Sequence, residues 1–172
     1  MRSESLNFLK AVVEAPSPSG YEQPVARLYR DYVSRFADRV ATDVIGNVSA
    51  ALNPDAAVKV MLAGHMDEIG FTVHYVSEEG LLHFRAIGGH DSVIPVGQRV
   101  WVHGRERVAG VIGHKAIHLL DQDELKAKPK MSDLWIDVGT SSRAEVEAVV
   151  GLGDVATFQH GFQPLLGGRA TA

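Results

Sequence analysis

The stretch "VKVMLAGHMDEIGF", Val58 to Phe71, decides how the chain is read. Its first half, Val58-Lys59-Val60-Met61-Leu62-Ala63, is a short apolar run that follows the turn residues Asn53-Pro54-Asp55. Runs of this length form strands buried on both faces of a mixed α/β sheet. His65 then falls just past the C-terminal end of the predicted strand, where open α/β sheets bind their ligands. Asp67 stands two residues on, and extended backbone puts both side chains on one face. A carboxylate so placed accepts the free N–H of the histidine ring, which fixes the tautomer and raises the basicity of the other nitrogen toward a metal. The competing reading is a polar turn that happens to hold a histidine, and a lone His-x-Asp does not decide between them.

Upstream of this stretch the period is helical. Leu6, Leu9, Val12 and Val13 predict a helix over 5–15, with Ser3 or Ser5 as its cap. "PSPSG" (Pro16–Gly20) breaks it. A second helix is predicted from about Glu22 to Phe36, with Pro24 accommodated in the first turn. Its stripe of Val25, Leu28, Tyr29, Tyr32, Val33 and Phe36 reads as core. A hairpin follows, with Val44-Ile45 and Val48–Leu52 flanking Gly46-Asn47.

Downstream of Gly70 the texture changes. Short β-rich runs cover Phe71–Val76, Leu81–Ala86, Arg99–His103, Val108–Ile112 and Leu134–Val138, separated by Glu79-Gly80, Gly88-Gly89, Gly97 and Gly104. This pattern predicts a small closed barrel or sandwich. One helix interrupts it near Ser142–Val150, where Ser142 and Glu145 have capping-box spacing. Residues 121–131 read as an exposed loop. The resulting division is an α/β segment over 1–70, a β-rich module over 71–163 and a tail over 164–172.

Composition narrows the functional classes. A net charge of -4 gives no electrostatic reason to expect nucleic acid or an anionic membrane as partner. With no cysteine, disulfides and thiolate-bound zinc are excluded, so any metal must use His, Asp or Glu. The first residues lack the apolar core of a signal peptide, and no apolar run reaches the roughly 20 residues of a membrane span. A cytoplasmic protein is expected. Among the other histidines, His74, His83 and His103 fall in strand-like runs and read as surface or barrel residues. His90-Asp91, after Gly88-Gly89, has two readings, a binding residue and a solvated loop, and the loop is favoured. His114, His118 and His160 have no mutual metal spacing, and neither a nucleophile elbow nor a Gly-rich phosphate loop is present.

Seven segments occur in an order that resembles one family: "SPSGYE" (Ser17–Glu22), "DVIGN" (Asp43–Asn47), "LAGHMDEIGF" (Leu62–Phe71), "IGGHD" (Ile87–Asp91), "VGQRV" (Val96–Val100), "GVIGHKAIHL" (Gly110–Leu119) and "DLWIDVG" (Asp133–Gly139). Together they resemble the M42 metallo-aminopeptidases, the glutamyl aminopeptidase or TET-type peptidases, some of which carry an endoglucanase name. The resemblance implies an α/β zinc-peptidase-like catalytic domain with an inserted β-barrel that serves dimerisation and assembly, up to a dodecameric shell. It implies a pair of divalent ions, zinc or cobalt, which activate water to attack the first peptide bond of a peptide substrate. Carried over residue by residue, His65 matches a metal ligand and Asp67 the catalytic acid that orients it. Members of the family are about twice as long. The bridging Asp, the Glu pair, a further Asp and a final His of the family lie beyond the segments matched, so the expectation is an N-terminal portion, inactive alone and binding metal partially or not at all. Two other readings stand beside it: a non-catalytic β-barrel self-association module, and a glycoside hydrolase, for which nothing picks out the two opposed carboxylates required.

Overall fold

A computed structural model describes residues 1–172. The chain divides into two compact units, one made of Met1–Glu68 with His160–Ala172, the other of Ile69–Gln159. Helices and strands are mixed, and no helix is long and apolar enough to cross a membrane.

The first unit opens with helix α1 (Ser3–Glu14) and helix α2 (Gln23–Val33). Neither Ser3 nor Ser5 caps α1: the cap position is Arg2 and both serines already lie inside the helix. Pro24 sits in the first turn of α2, where its missing N–H costs no helical bond. The two helices meet through Phe8 and Tyr32, whose rings stack at 3.8 Å. Of the expected core stripe, Val25 and Val33 are buried, whereas Phe36 is 56% exposed. It lies past the end of the helix and touches Tyr32 edge-on at 5.8 Å.

Strands β1 (Arg39–Thr42) and β2 (Val48–Ala51) pair antiparallel. The predicted hairpin is present, but its first strand lies before Val44-Ile45, which occupy the turn. Asp43 explains the shift. Its carboxylate accepts from Ile45 N, Asn47 N and Asn47 Nδ2, and Gly46 adopts φ +98°. A turn closed by these bonds leaves the apolar pair at its tip. The tail forms a second small pair, β9 (Gln163–Pro164) with β10 (Ala170–Thr171), and is tied to α1 where Phe162 N donates to Glu14 Oε1 at 3.1 Å.

The predicted buried strand over Val58–Ala63 does not form. No backbone–backbone hydrogen bond involves residues 57–67, and Val58, Val60, Met61 and Leu62 are 82–94% exposed. A strand exists only as part of a ladder. In this unit β1 and β2 pair solely with each other, so the run has no partner.

The second unit is a closed barrel of six antiparallel strands in the order β3-β4-β7-β6-β5-β8. These are β3 (Gly70–Val76), β4 (Leu82–Ile87), β5 (Arg99–His103), β6 (Arg107–Gly113), β7 (Trp135–Asp137) and β8 (Val155–Phe158). Alternation puts Leu82 and Phe84, Val100 and Val102, and Ile112 and Ile136 in one core. In β3 the register against β4 shifts between Val73 and Tyr75. The bulge at His74 re-phases the strand, so that Phe71, Val73 and Val76 all face inward. Gly110 lets β6 approach β7 closely, because a Cβ there would stand 2.5 Å from Ile136 Cγ2. Helix α3 (Arg143–Glu147) covers one part of the core with Val146. Ser142 Oγ accepts from Glu145 N, while Glu145 reaches back to Ser141 N, one residue earlier than a standard capping box. Strand β8 was not among the predicted runs.

Candidate active-site segment

The His-x-Asp segment lies on the extended coil that ends the first stretch of the first unit. His65 projects a side chain that is 85% exposed. Its Nδ1 stands 3.0 Å from Asp67 Oδ1 and 3.1 Å from the Asp67 carbonyl oxygen. Both are acceptors, so the ring donates from Nδ1, and in the neutral imidazole the lone pair is then on Nε2. The expected juxtaposition of His65 and Asp67 is therefore present, although the backbone that carries it is coil and not the end of a strand.

Two further groups complete the arrangement. The Ser19 hydroxyl donates to Asp67 Oδ2 at 2.5 Å, so each carboxylate oxygen has its own donor. Glu68 is clamped to Ser17: Ser17 N donates to Glu68 Oε1 at 2.8 Å, and Glu68 N donates to the Ser17 carbonyl at 2.9 Å. Pro18 and Glu68 form a parallel bridge between the two segments. The Ser19 hydroxyl first, and then the His65 ring, hold the Asp67 carboxyl below the usual carboxylate range. Partial burial pushes the Glu68 carboxyl up, against the opposing pull of its bonds from Ser17. Ser17, Ser19 and Glu68 were not marked by sequence reasoning as site residues. "SPSG" reads locally as a helix breaker, and its pairing with Asp67 spans 48 residues, beyond the reach of any local period.

The remaining histidines separate by environment. His90 is not a solvated loop residue. Its Nε2 lies 3.0 Å from the Gly70 carbonyl oxygen and 3.2 Å from that of Ile87, and its ring packs 4.6 Å from the Phe71 ring. It closes the barrel end by satisfying two carbonyls. His103 Nε2 meets Thr157 Oγ1 at 2.9 Å across β5 and β8, and His83 packs 5.5 Å from Tyr75.

A metal is tested against the donors present. His65 and Asp67 fit one ligand and its orienting acid, with the correct nitrogen left free. They do not make a whole centre, since no three His, Asp or Glu side chains gather to hold an ion.

A family model for the M42 glutamyl aminopeptidases matches residues 46–172. The lysyl aminopeptidase of Pyrococcus furiosus is 35% identical over 163 residues, covering 92% of this chain and 46% of that protein. Among solved structures, the TET aminopeptidase from the marine sediment archaeon Thaumarchaeota archaeon SCGC AB-539-E09 superposes with a TM-score of 0.92 at 35% identity, over 98% of this chain and 48% of that one. The Pyrococcus horikoshii TET1 peptidase, described as able to assemble into a tetrahedron or a large octahedral shell, gives 0.82 at 32% identity, over 94% of this chain and 48% of that one. The chain thus spans less than half the length of the curated relatives it matches. On the family match and these identities together, the chain belongs to the M42 glutamyl aminopeptidase family.

Proposed function

We propose that this chain carries the His-x-Asp part of a metal-dependent aminopeptidase that removes N-terminal residues from peptides. The observation that supports this most is the direction of the His65–Asp67 bond. Asp67 accepts a hydrogen bond from Nδ1–H, so the Nε2 lone pair is presented to a cation. His65 serves as a metal ligand, and Asp67 holds its tautomer. Zinc or cobalt, as a pair of ions, is the proposed cofactor, and it would supply an activated water when bound. No three His, Asp or Glu side chains gather to complete the metal centre. On this reading the chain alone binds metal weakly and does not turn over peptide, because affinity requires several ligands placed together. A cytoplasmic setting is in keeping with a chain free of cysteine.

The barrel supports a second, compatible role. We read residues 71–163 as an inserted dimerisation module, flanked by 1–70 and 164–172 of the peptidase part. The closed barrel in this unit and the shell-forming TET1 relative favour it.

Titration calorimetry with Zn2+ or Co2+ and an aminoacyl-nitroanilide assay test the proposal. His65→Ala is expected to abolish the metal heat of the 172-residue chain. In a protein of the relatives' length, Asp67→Ala is expected to lower metal affinity or activity about 10–100-fold. Metal binding that ignores His65→Ala refutes the ligand role, and turnover by the 172-residue chain refutes the proposed dependence on further ligands.

A further inference from the structure

The His65–Asp67 pair stands on a coil that makes no backbone–backbone hydrogen bond from residue 57 to residue 67. A sheet does not hold it. What holds it is the segment Ser17-Pro18-Ser19. Ser17 and Pro18 are buried, and Ser17 is bound to Glu68 in both directions. Pro18 to Tyr21 then form a turn in which Tyr21 N donates to the Pro18 carbonyl at 2.7 Å, and Gly20 takes φ +93° at the third position. A positive φ there is the mark of a type II turn, in which the second residue, here Ser19, is free to aim its side chain outward.

We propose that Ser19 is a positioning residue for the His65–Asp67 pair: its hydroxyl fixes the Asp67 carboxylate so that the opposite oxygen faces the His65 Nδ1–H. The inference rests on the reading of His65 as a ligand and Asp67 as its orienter. An ionised Asp67 has no proton to give, so Ser19 is the donor, and at 2.5 Å the bond is of the short charge-assisted kind. A carboxylate held at one oxygen only can rotate about its last side-chain bond. Held at both, it presents Oδ1 to the ring in a single orientation. A histidine as exposed as His65 has no packing to fix its ring, so its tautomer is set by two acceptors of Asp67, the backbone carbonyl at 3.1 Å and Oδ1 at 3.0 Å, and Ser19 governs the second. Ser19 thereby acts on His65 through Asp67, without touching the ring.

The test reads the ring itself. Long-range 1H–15N spectra of the 172-residue chain, taken near pH 8 where imidazole is neutral, report which His65 nitrogen carries the proton. The wild-type chain is expected in the Nδ1–H form. Ser19→Ala is expected to weaken that signature, shifting part of the population to the Nε2–H form, with the Asp67 carbonyl left as the one fixed acceptor. The isosteric pair Ser19→Thr and Ser19→Val keeps the comparison sound should the alanine variant not fold. Ser19 is exposed, so both side chains have room, and they differ in the hydroxyl. Threonine is expected to retain the wild-type share of the Nδ1–H form and valine to reduce it. An unchanged tautomer in Ser19→Ala, or equal spectra for threonine and valine, overturns the proposal. A hydroxyl-dependent tautomer in a protein that binds no metal through His65 sustains the role of Ser19 and refutes only the ligand reading.

Discussion

Replacing Phe71 by alanine is the most direct test of the barrel core. The side chain is fully buried. Its ring meets Phe84 at 4.7 Å and Phe158 at 5.3 Å, both edge-on, and the His90 ring at 4.6 Å. Burying a phenylalanine and then removing it costs about 3–5 kcal/mol, with the cavity included. Three ring contacts place this site toward the upper part of that range. A unit of about 90 residues has a total stability of roughly 5–14 kcal/mol. The substitution therefore removes between a third and nearly all of it. The chain's two tryptophans, Trp101 and Trp135, both lie on barrel strands, so tryptophan fluorescence during urea unfolding reports this unit. With a urea slope of about 1.5 kcal/mol/M, the midpoint is expected to fall by about 2–3 M, and Phe71→Leu by less. A fall equivalent to less than about 1 kcal/mol, with the slope unchanged, means that Phe71 does not occupy the centre of a packed core.

Three further outcomes follow from particular contacts. Gly110→Ala forces a methyl against Ile136 and the Asp137 carbonyl and is expected to cost about 1–3 kcal/mol; an unchanged urea midpoint means that β6 and β7 are not so close. Burial, and then the nearby Arg107, hold His103 below its ordinary value. The unfolded chain binds that proton at about pH 6.5 and the folded chain only at lower pH, so stability is lost as pH falls from about 6.5 toward the folded value. The drop in urea midpoint between pH 7.5 and 5.5 is therefore expected to be smaller in His103→Gln than in the wild-type chain, and equal drops contradict the assignment. The exposed run Val58–Leu62, together with the proposed dimerisation role of the barrel, predicts self-association. Sedimentation should show species above 18.6 kDa that grow with concentration, and a single 18.6 kDa species throughout refutes it.

The barrel was legible because each strand carries its own address. Phe71 and Val73, Leu82 and Phe84, and Val100 and Val102 alternate with outward residues between glycine turns, and that local pattern is all a barrel strand needs to find its inner face. Strand β8 escaped because its three buried residues, Val155, Ala156 and Thr157, run consecutively and show no alternation. The run Val58–Ala63 shows the converse. Its apolarity states a need for cover, but a ladder partner is a property of another segment, and none in this unit meets it. His90 was misread for a related reason: a Gly-Gly-His-Asp sequence looks solvated until Phe71 is brought beneath the ring. At the site, the His65–Asp67 pairing followed from a two-residue spacing. The second hold on Asp67 comes from Ser19, which the chain brings up from a different helix break.

The first and last strands of the barrel are neighbours. Phe71 pairs with Ala156 and Thr72 with Val155, antiparallel, so the chain arrives at Gly70 and departs after Phe158 side by side. To the polypeptide on either side, the folded barrel is no longer than a tight turn. Unfolded, the same stretch is a loop of about 90 residues, and bringing its ends together carries an entropic penalty that grows as the logarithm of length, about 4 kcal/mol at this size. Folding of the barrel meets that penalty internally. It then lets Met1–Glu68 and His160–Ala172 meet, as at Glu14 and Phe162, almost as if the intervening residues were absent. A sequence that folds in this way can be lengthened or exchanged within the barrel at little cost to the surrounding chain, provided the two ends stay paired.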